Sequence, residues 1–128
     1  MFLKIILNFF IGLLVGFVFE FIYRSVKAKR ATFPRFVNYQ MYGVTAAFLV
    51  FIYYLNVSLI FKLILMFLFP TLVESIIGYL YIKINGVYPW DYSKEPLNMG
   101  GIICLRFSLI WFAIVIFYYY SVLPLLVN

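Results

Sequence analysis

Three charged side chains stand inside stretches that are otherwise nearly all Leu, Ile, Phe, Val and Tyr: Glu20, Glu74 and Arg106. An ionised group among lipid tails costs roughly 2.5–3.5 kcal/mol on insertion scales, so each needs a partner or a function. A carboxylate–guanidinium pair lowers the cost of both ions, and within apolar surroundings it is the chemistry of a substrate or ion site. Arg106 is expected to pair with Glu74, with Glu20 as the alternative partner. A simpler arrangement is also open, in which Glu20 pairs with Arg24 one turn on and Arg106 reaches out to the interface. A second polar island is "YPWDYSKEPLNMGG", Tyr88 to Gly101. Here Asp91 and Ser93 can accept backbone N–H bonds in a turn, Asn98 can cap a following helix, and Trp90 and Tyr92 suit the headgroup level.

The residue types narrow the chemistry further. The sequence has no His and a single Cys, Cys104. That removes the commonest metal ligand and proton shuttle, any Ser–His or Cys–His couple, and any intramolecular disulfide. No metal site, cofactor or catalytic set is expected. No G-x-x-x-x-G-K-[ST] stretch is present, so the chain does not hold ATP by a P-loop. Ser75 and Ser108 read as polar groups that join helices rather than as nucleophiles. Asn56-Val57-Ser58 matches a glycosylation acceptor, but the turn it would form is too tight and too near lipid.

The elements that carry these residues follow from composition. Hydrophobic residues make up 67% of the 128 and charged residues 11%, against about 45–50% and 25% in soluble domains. The solvent for most of the chain is lipid, and the fold class is an all-α membrane protein. About 20 apolar residues cross a bilayer, and four segments qualify: residues 2–23, 38–55, 59–82 and 101–123. Each must be helical, because lipid offers backbone groups no partner. The whole chain reads as one integral membrane domain, with its first span retained rather than cleaved. Asn85-Gly86 and Pro89 end the third span, and Asn98 is placed as the N-cap of the fourth.

The net charge is +6, and its distribution matters more than its size. Arg24, Lys27, Lys29, Arg30 and Arg35 crowd one loop that carries no acid. Such a cluster fits a cytoplasmic face against anionic headgroups, not nucleic acid. Loops 24–37 and 83–100 are therefore expected in the cytoplasm and both termini outside, in a multi-pass protein of the cell membrane.

Small residues recur at the spacing of one helix face. Gly12, Gly16 and Glu20 fall four apart, as do Pro70, Glu74 and Gly78, so a neighbouring helix can approach closely beside each acid. The first and third spans each carry one acid followed by aromatic and basic residues, a Pro-containing loop and a returning helix. The echo suggests two hairpins related as a parallel repeat.

With these residues in view, "WDYSKEPLNMGGIICLRFSLIW" resembles the putative ABC-transporter type IV family. The likeness is carried by Trp90, Asp91, Tyr92, Ser93, Pro96, Asn98, Gly101, Arg106, Ser108 and Trp111. Glu74 and Gly78, Glu20, and Tyr42-Gly43 opening the second span extend it. Tyr42, Gly43, Ser108 and Trp111 join Gly12, Gly16 and Gly78 as expected helix-packing positions. The sequence departs from the pattern at Gln40, where a Pro is expected, at Phe112, where Gly is frequent, and at Gly100 and Ile102.

The resemblance implies a permease or transporter-associated subunit. It would act as a homo-oligomer or beside other membrane subunits, with a separate ATPase chain if it serves an ABC system. A second reading is a membrane-embedded enzyme acting on lipid, with Glu74 and Asp91 as acid and base and Arg106 on a phosphate. A third is a structural or assembly protein whose polar residues hold helices together.

Overall fold

The computed structural model describes residues 1–128, and its frame is an antiparallel bundle of four membrane-length helices. Helix α1 covers Phe2–Ala28, α2 Phe36–Tyr54 and α3 Leu59–Asn85. The fourth span runs over Leu105–Val127 as α4 (Leu105–Phe117), a π turn (Tyr118–Val122) and α5 (Leu123–Val127). Large apolar side chains such as Phe10, Leu14, Leu72, Leu109 and Phe117 face outward, where lipid covers them.

Glycines set the closest helix pair. A Cβ on Gly12 would lie 2.6 Å from the Tyr42 carbonyl oxygen and 2.9 Å from Gly43 Cα. One on Gly43 would lie 2.8 Å from the Phe9 carbonyl oxygen. The α1 and α2 backbones therefore touch, as small-residue faces allow in lipid. The α3–α4 pair is held differently, by a hydrogen bond from Thr71 Oγ1 to Ser108 Oγ (2.9 Å) and an edge-on Phe67–Phe112 contact. Phe48 of α2 stacks on Phe69 of α3 at 3.7 Å.

The two ends of the bundle are built from different material. Around the termini and the short α2–α3 turn, Leu49, Val50, Ile52, Met66, Val115 and Leu123 form a hydrophobic core. Pro124 shapes this end of the fourth span. It has no N–H and its ring crowds the carbonyl four residues back, so the helix widens into the π turn there,. At the other end lie the basic loop after α1 and the long loop between α3 and α4.

Several expected boundaries move. Helix α2 covers Phe36–Tyr54 instead of 38–55. The fourth span ends at Val127 instead of 123, because the π turn lets the helix run on through Pro124. Helix α1 runs on to Ala28 and α3 to Asn85, because basic side chains such as Arg24, Lys27 and Lys83 let a helix continue past the apolar layer with their charges in water. Gly86, at φ 74°, ends α3 with its N–H on the Ile82 carbonyl. The fourth helix starts at Leu105 rather than 101, and Asn98 does not cap it. Gly100 and Gly101 adopt φ 64° and 73°, a left-handed turn that glycine makes without strain. The chain folds back there, so β1 (Asn98–Met99) pairs antiparallel with β2 (Ile103–Cys104), and Cys104 occupies the N-cap position.

Candidate functional site

A chamber of about 690 Å³ occupies the loop end, walled by α1, α2, α3, α4 and the loop after Pro89. Helix α1 packs along α2 and meets α5 at the far end, but it makes no extensive contact with α4. The chamber lies in that gap. Glu20, Tyr42, Glu74, Tyr92 and Trp111 all face it.

Glu74 lies deepest, 1% exposed. Its Oε2 accepts from Trp111 Nε1 at 3.0 Å and from the Tyr92 hydroxyl at 3.3 Å. Its Oε1 is buried with no hydrogen-bond partner. Each donor is itself positioned. Trp111 lies against the Tyr42 ring at 4.5 Å, and Tyr92 stacks on Phe107 at 4.7 Å. Burial, and then the Glu74 carboxylate, push the Tyr92 phenol well above its usual value, so Tyr92 stays a proton-bearing donor.

Glu20 is held by its own helix and by α2. Oε2 pairs with Arg24 Nε at 3.3 Å one turn on, and Oε1 accepts from the Tyr42 hydroxyl at 3.3 Å. Tyr42 can reach Glu20 and lie against Trp111 because Gly16 makes room for it: a Cβ there would stand 2.5 Å from the Tyr42 ring. The run of small residues and acid along α1 thus seats a tyrosine as well as a helix.

Arg106 is not a member of this group. Its guanidinium pairs with Glu95 at 3.3 Å, with the arginine side chain 65% exposed. The expected pairing with Glu74 or Glu20 is replaced by this surface pair. Arg106 lies in the first turn of α4, level with the loop, and Glu95 offers a carboxylate there without drawing the guanidinium into lipid. The simpler arrangement for Glu20 and Arg24 is the one found.

The Tyr88–Gly101 segment is folded back on itself and then onto the bundle. Asp91 Oδ1 accepts from Ser93 N–H at 2.9 Å, a bond that holds the fully exposed Asp91 carboxyl below its ordinary range. Asn98 donates to the Ser93 and Glu95 carbonyls and accepts from Gly101 N–H. Tyr92 N–H donates to the Gly101 carbonyl. Trp90 Nε1 donates to the Ile102 carbonyl at 2.7 Å. Gly78 lets this unit press on α3, since a Cβ there would fall 2.5 Å from Ile102 Cγ2. From α2, Arg35 Nη2 and Asn38 Nδ2 donate to the Pro89 carbonyl, and Arg35 Nη1 donates to the Tyr81 hydroxyl.

Two features were not anticipated from the sequence. Beyond the Tyr42–Trp111 contact lies a second cavity of about 30 Å³, lined by Gly12, Thr45, Ala46, Leu49, Val115 and Tyr118 among others. Thr45 Oγ1 is buried without a partner. The other is a buried polar cluster at the terminal end. Fully buried Asn8 accepts from the Tyr118 hydroxyl at 2.6 Å and donates to the Lys4 carbonyl. Lys4 Nζ in turn donates to the Val127 carbonyl and the Tyr54 hydroxyl. An Asn inside "ILNFFIG" was the available signal. Its partner, 110 residues away, left no trace in spacing.

Four membrane-length helices define a multi-pass membrane protein. The model of the family described as "Putative ABC-transporter type IV" matches residues 7–128, and the chain belongs to that family. It is thus an ABC-transporter-related membrane protein. No curated protein and no solved structure matches it.

Proposed function

We propose that this protein is a small permease or transporter-associated subunit, a single integral membrane domain whose chamber is the loading end of a passage through the bundle. The supporting observation is a pair of cavities that share Tyr42, Trp111 and Ile114 as a common wall, with the Asn8–Tyr118 bond next to the smaller one. The chamber of about 690 Å³ narrows at Tyr42 and Trp111, and the cavity of about 30 Å³ follows. Asn8 and Tyr118 then close the path. A protein that only held neighbours together would have no need of a buried carboxylate left half unpaired beside a chamber.

The chamber belongs on the cytoplasmic side. The basic loop from Arg24 to Arg35 lies at that end of the bundle, and positive loops stay inside. Both termini then face out of the cell. Four helices enclose one small chamber, so the working unit is a homo-oligomer or a complex with other membrane subunits. A separate ATPase chain supplies energy, docking on the two loops at the chamber end.

The test is thiol access with Cys104→Ser as background. Thr45→Cys places a thiol beside the inner cavity. Modification by a small water-soluble thiol reagent from either side of the membrane is expected, with Trp111→Ala speeding it from the chamber side. A thiol that reacts from neither side, with or without Trp111, would sink the permease reading in favour of a packing protein. Gentle purification should also retain an ATP-hydrolysing partner.

A further inference from the structure

Every charge facing the chamber has a partner in the chain or lies at its mouth, except one. Glu20 is paired with Arg24, and Glu95 with Arg106. Lys27 Nζ lies over the Tyr23 ring at 5.8 Å, and Asp91 is exposed and bonded to Ser93 N–H. Glu74 alone is buried without a counter-ion, with one oxygen unpartnered.

We propose that the chamber binds an organic ammonium ion, a primary amine carrying an apolar or aromatic body, with its nitrogen at Glu74. This rests on the permease reading and names its substrate class. Three observations select the ligand. A buried carboxylate is stabilised by an opposite charge that also donates hydrogen bonds, and an N–H donor satisfies the free Oε1. The surrounding groups are rings, Tyr42, Trp90, Tyr92, Phe107 and Trp111, whose faces attract organic cations. A hard metal ion would want six or more oxygens, and no three acids of the wall come together to supply them. The volume also lies within the roughly 300–1,000 Å³ typical of small-molecule sites.

The same ammonium chemistry has two sources. A free aryl-alkyl amine could enter from the loop end. The headgroup of phosphatidylethanolamine could instead enter sideways, through the gap between α1 and α4.

The test uses the full chain in nanodiscs of phosphatidylglycerol, titrated with phenethylammonium and followed by the fluorescence of its two tryptophans, Trp90 and Trp111. Saturable binding is expected. Glu74→Gln should weaken it about 10- to 100-fold, the worth of a charge-assisted bond, while Glu74→Asp keeps most of it. Phenylacetate, the same body with the opposite charge, should not bind. Benzyltrimethylammonium, which has no N–H, should bind about tenfold more weakly. Nanodiscs containing phosphatidylethanolamine separate the sources: competition that weakens phenethylammonium marks the lipid as occupant, and unchanged affinity marks the free amine. Equal binding by phenylacetate, equal affinity in a folded Glu74→Gln variant, or no saturation would overturn the proposal. Binding is read here without flux, so its failure leaves the thiol-access test standing, and failure of that test leaves a binding site without a passage.

Discussion

The two ends of this bundle handle buried polar groups in opposite ways. At the terminal end Asn8 has partners on both its oxygen and its nitrogen, and Lys4 ties two chain segments together. At the loop end Glu74 has two donors on one oxygen and nothing on the other. A satisfied buried group stabilises a single arrangement; an unsatisfied one costs free energy and leaves room for a visitor. That difference is what the proposed seal and the proposed binding site rest on.

The largest expected effect falls where the two ends share a support. Gly12→Ala sets a methyl against the Tyr42 carbonyl and Gly43 Cα, backbone atoms that cannot move aside. About 2–3 kcal/mol of stability should be lost, seen as earlier thermal unfolding in detergent. An unchanged midpoint would mean that the α1–α2 crossing is looser than the 2.6 Å approach implies.

Next comes the seal. Asn8→Leu leaves the Tyr118 hydroxyl buried without its acceptor, at a cost of about 1–3 kcal/mol. Tyr92→Phe at the other end removes one of two bonds to Glu74 and keeps the ring on Phe107, so about 0.5–1.5 kcal/mol is expected. Measured side by side, the seal variant should unfold at the lower temperature. Should the Tyr92 variant unfold first, the contrast between the ends would be reversed.

The smallest effect concerns the loop alone. The Asp91 carboxyl sits below its ordinary value because its charged form accepts the Ser93 N–H bond. Its contribution is therefore fully present above the unfolded carboxylate value and is lost as pH falls through the lower folded value. Amide exchange at Ser93 should be slow at neutral pH and speed up, beyond the intrinsic trend, only in that acid range. Asp91→Asn should abolish the acid step. A step that persists in that variant would assign it to another group.

Much of this molecule follows from local chemistry. Four apolar runs had to become helices, since backbone groups in lipid have no partner but their own helix. Gly12 and Gly16 had to share a face, and Glu20 could reach Arg24 because they stand one turn apart. Asn85-Gly86 had to stop α3. Tertiary structure decided what sequence spacing cannot express. It turned the chain back at Gly100–Gly101 and started α4 at Leu105. It gave Arg106 to Glu95, and it brought Tyr92 and Trp111, 18 and 37 residues away, onto Glu74. It also put Tyr42 in contact with Trp111. The reason is physical: an ion in lipid must find a partner, but which of several polar groups it meets depends on helix depth and rotation, and packing sets both.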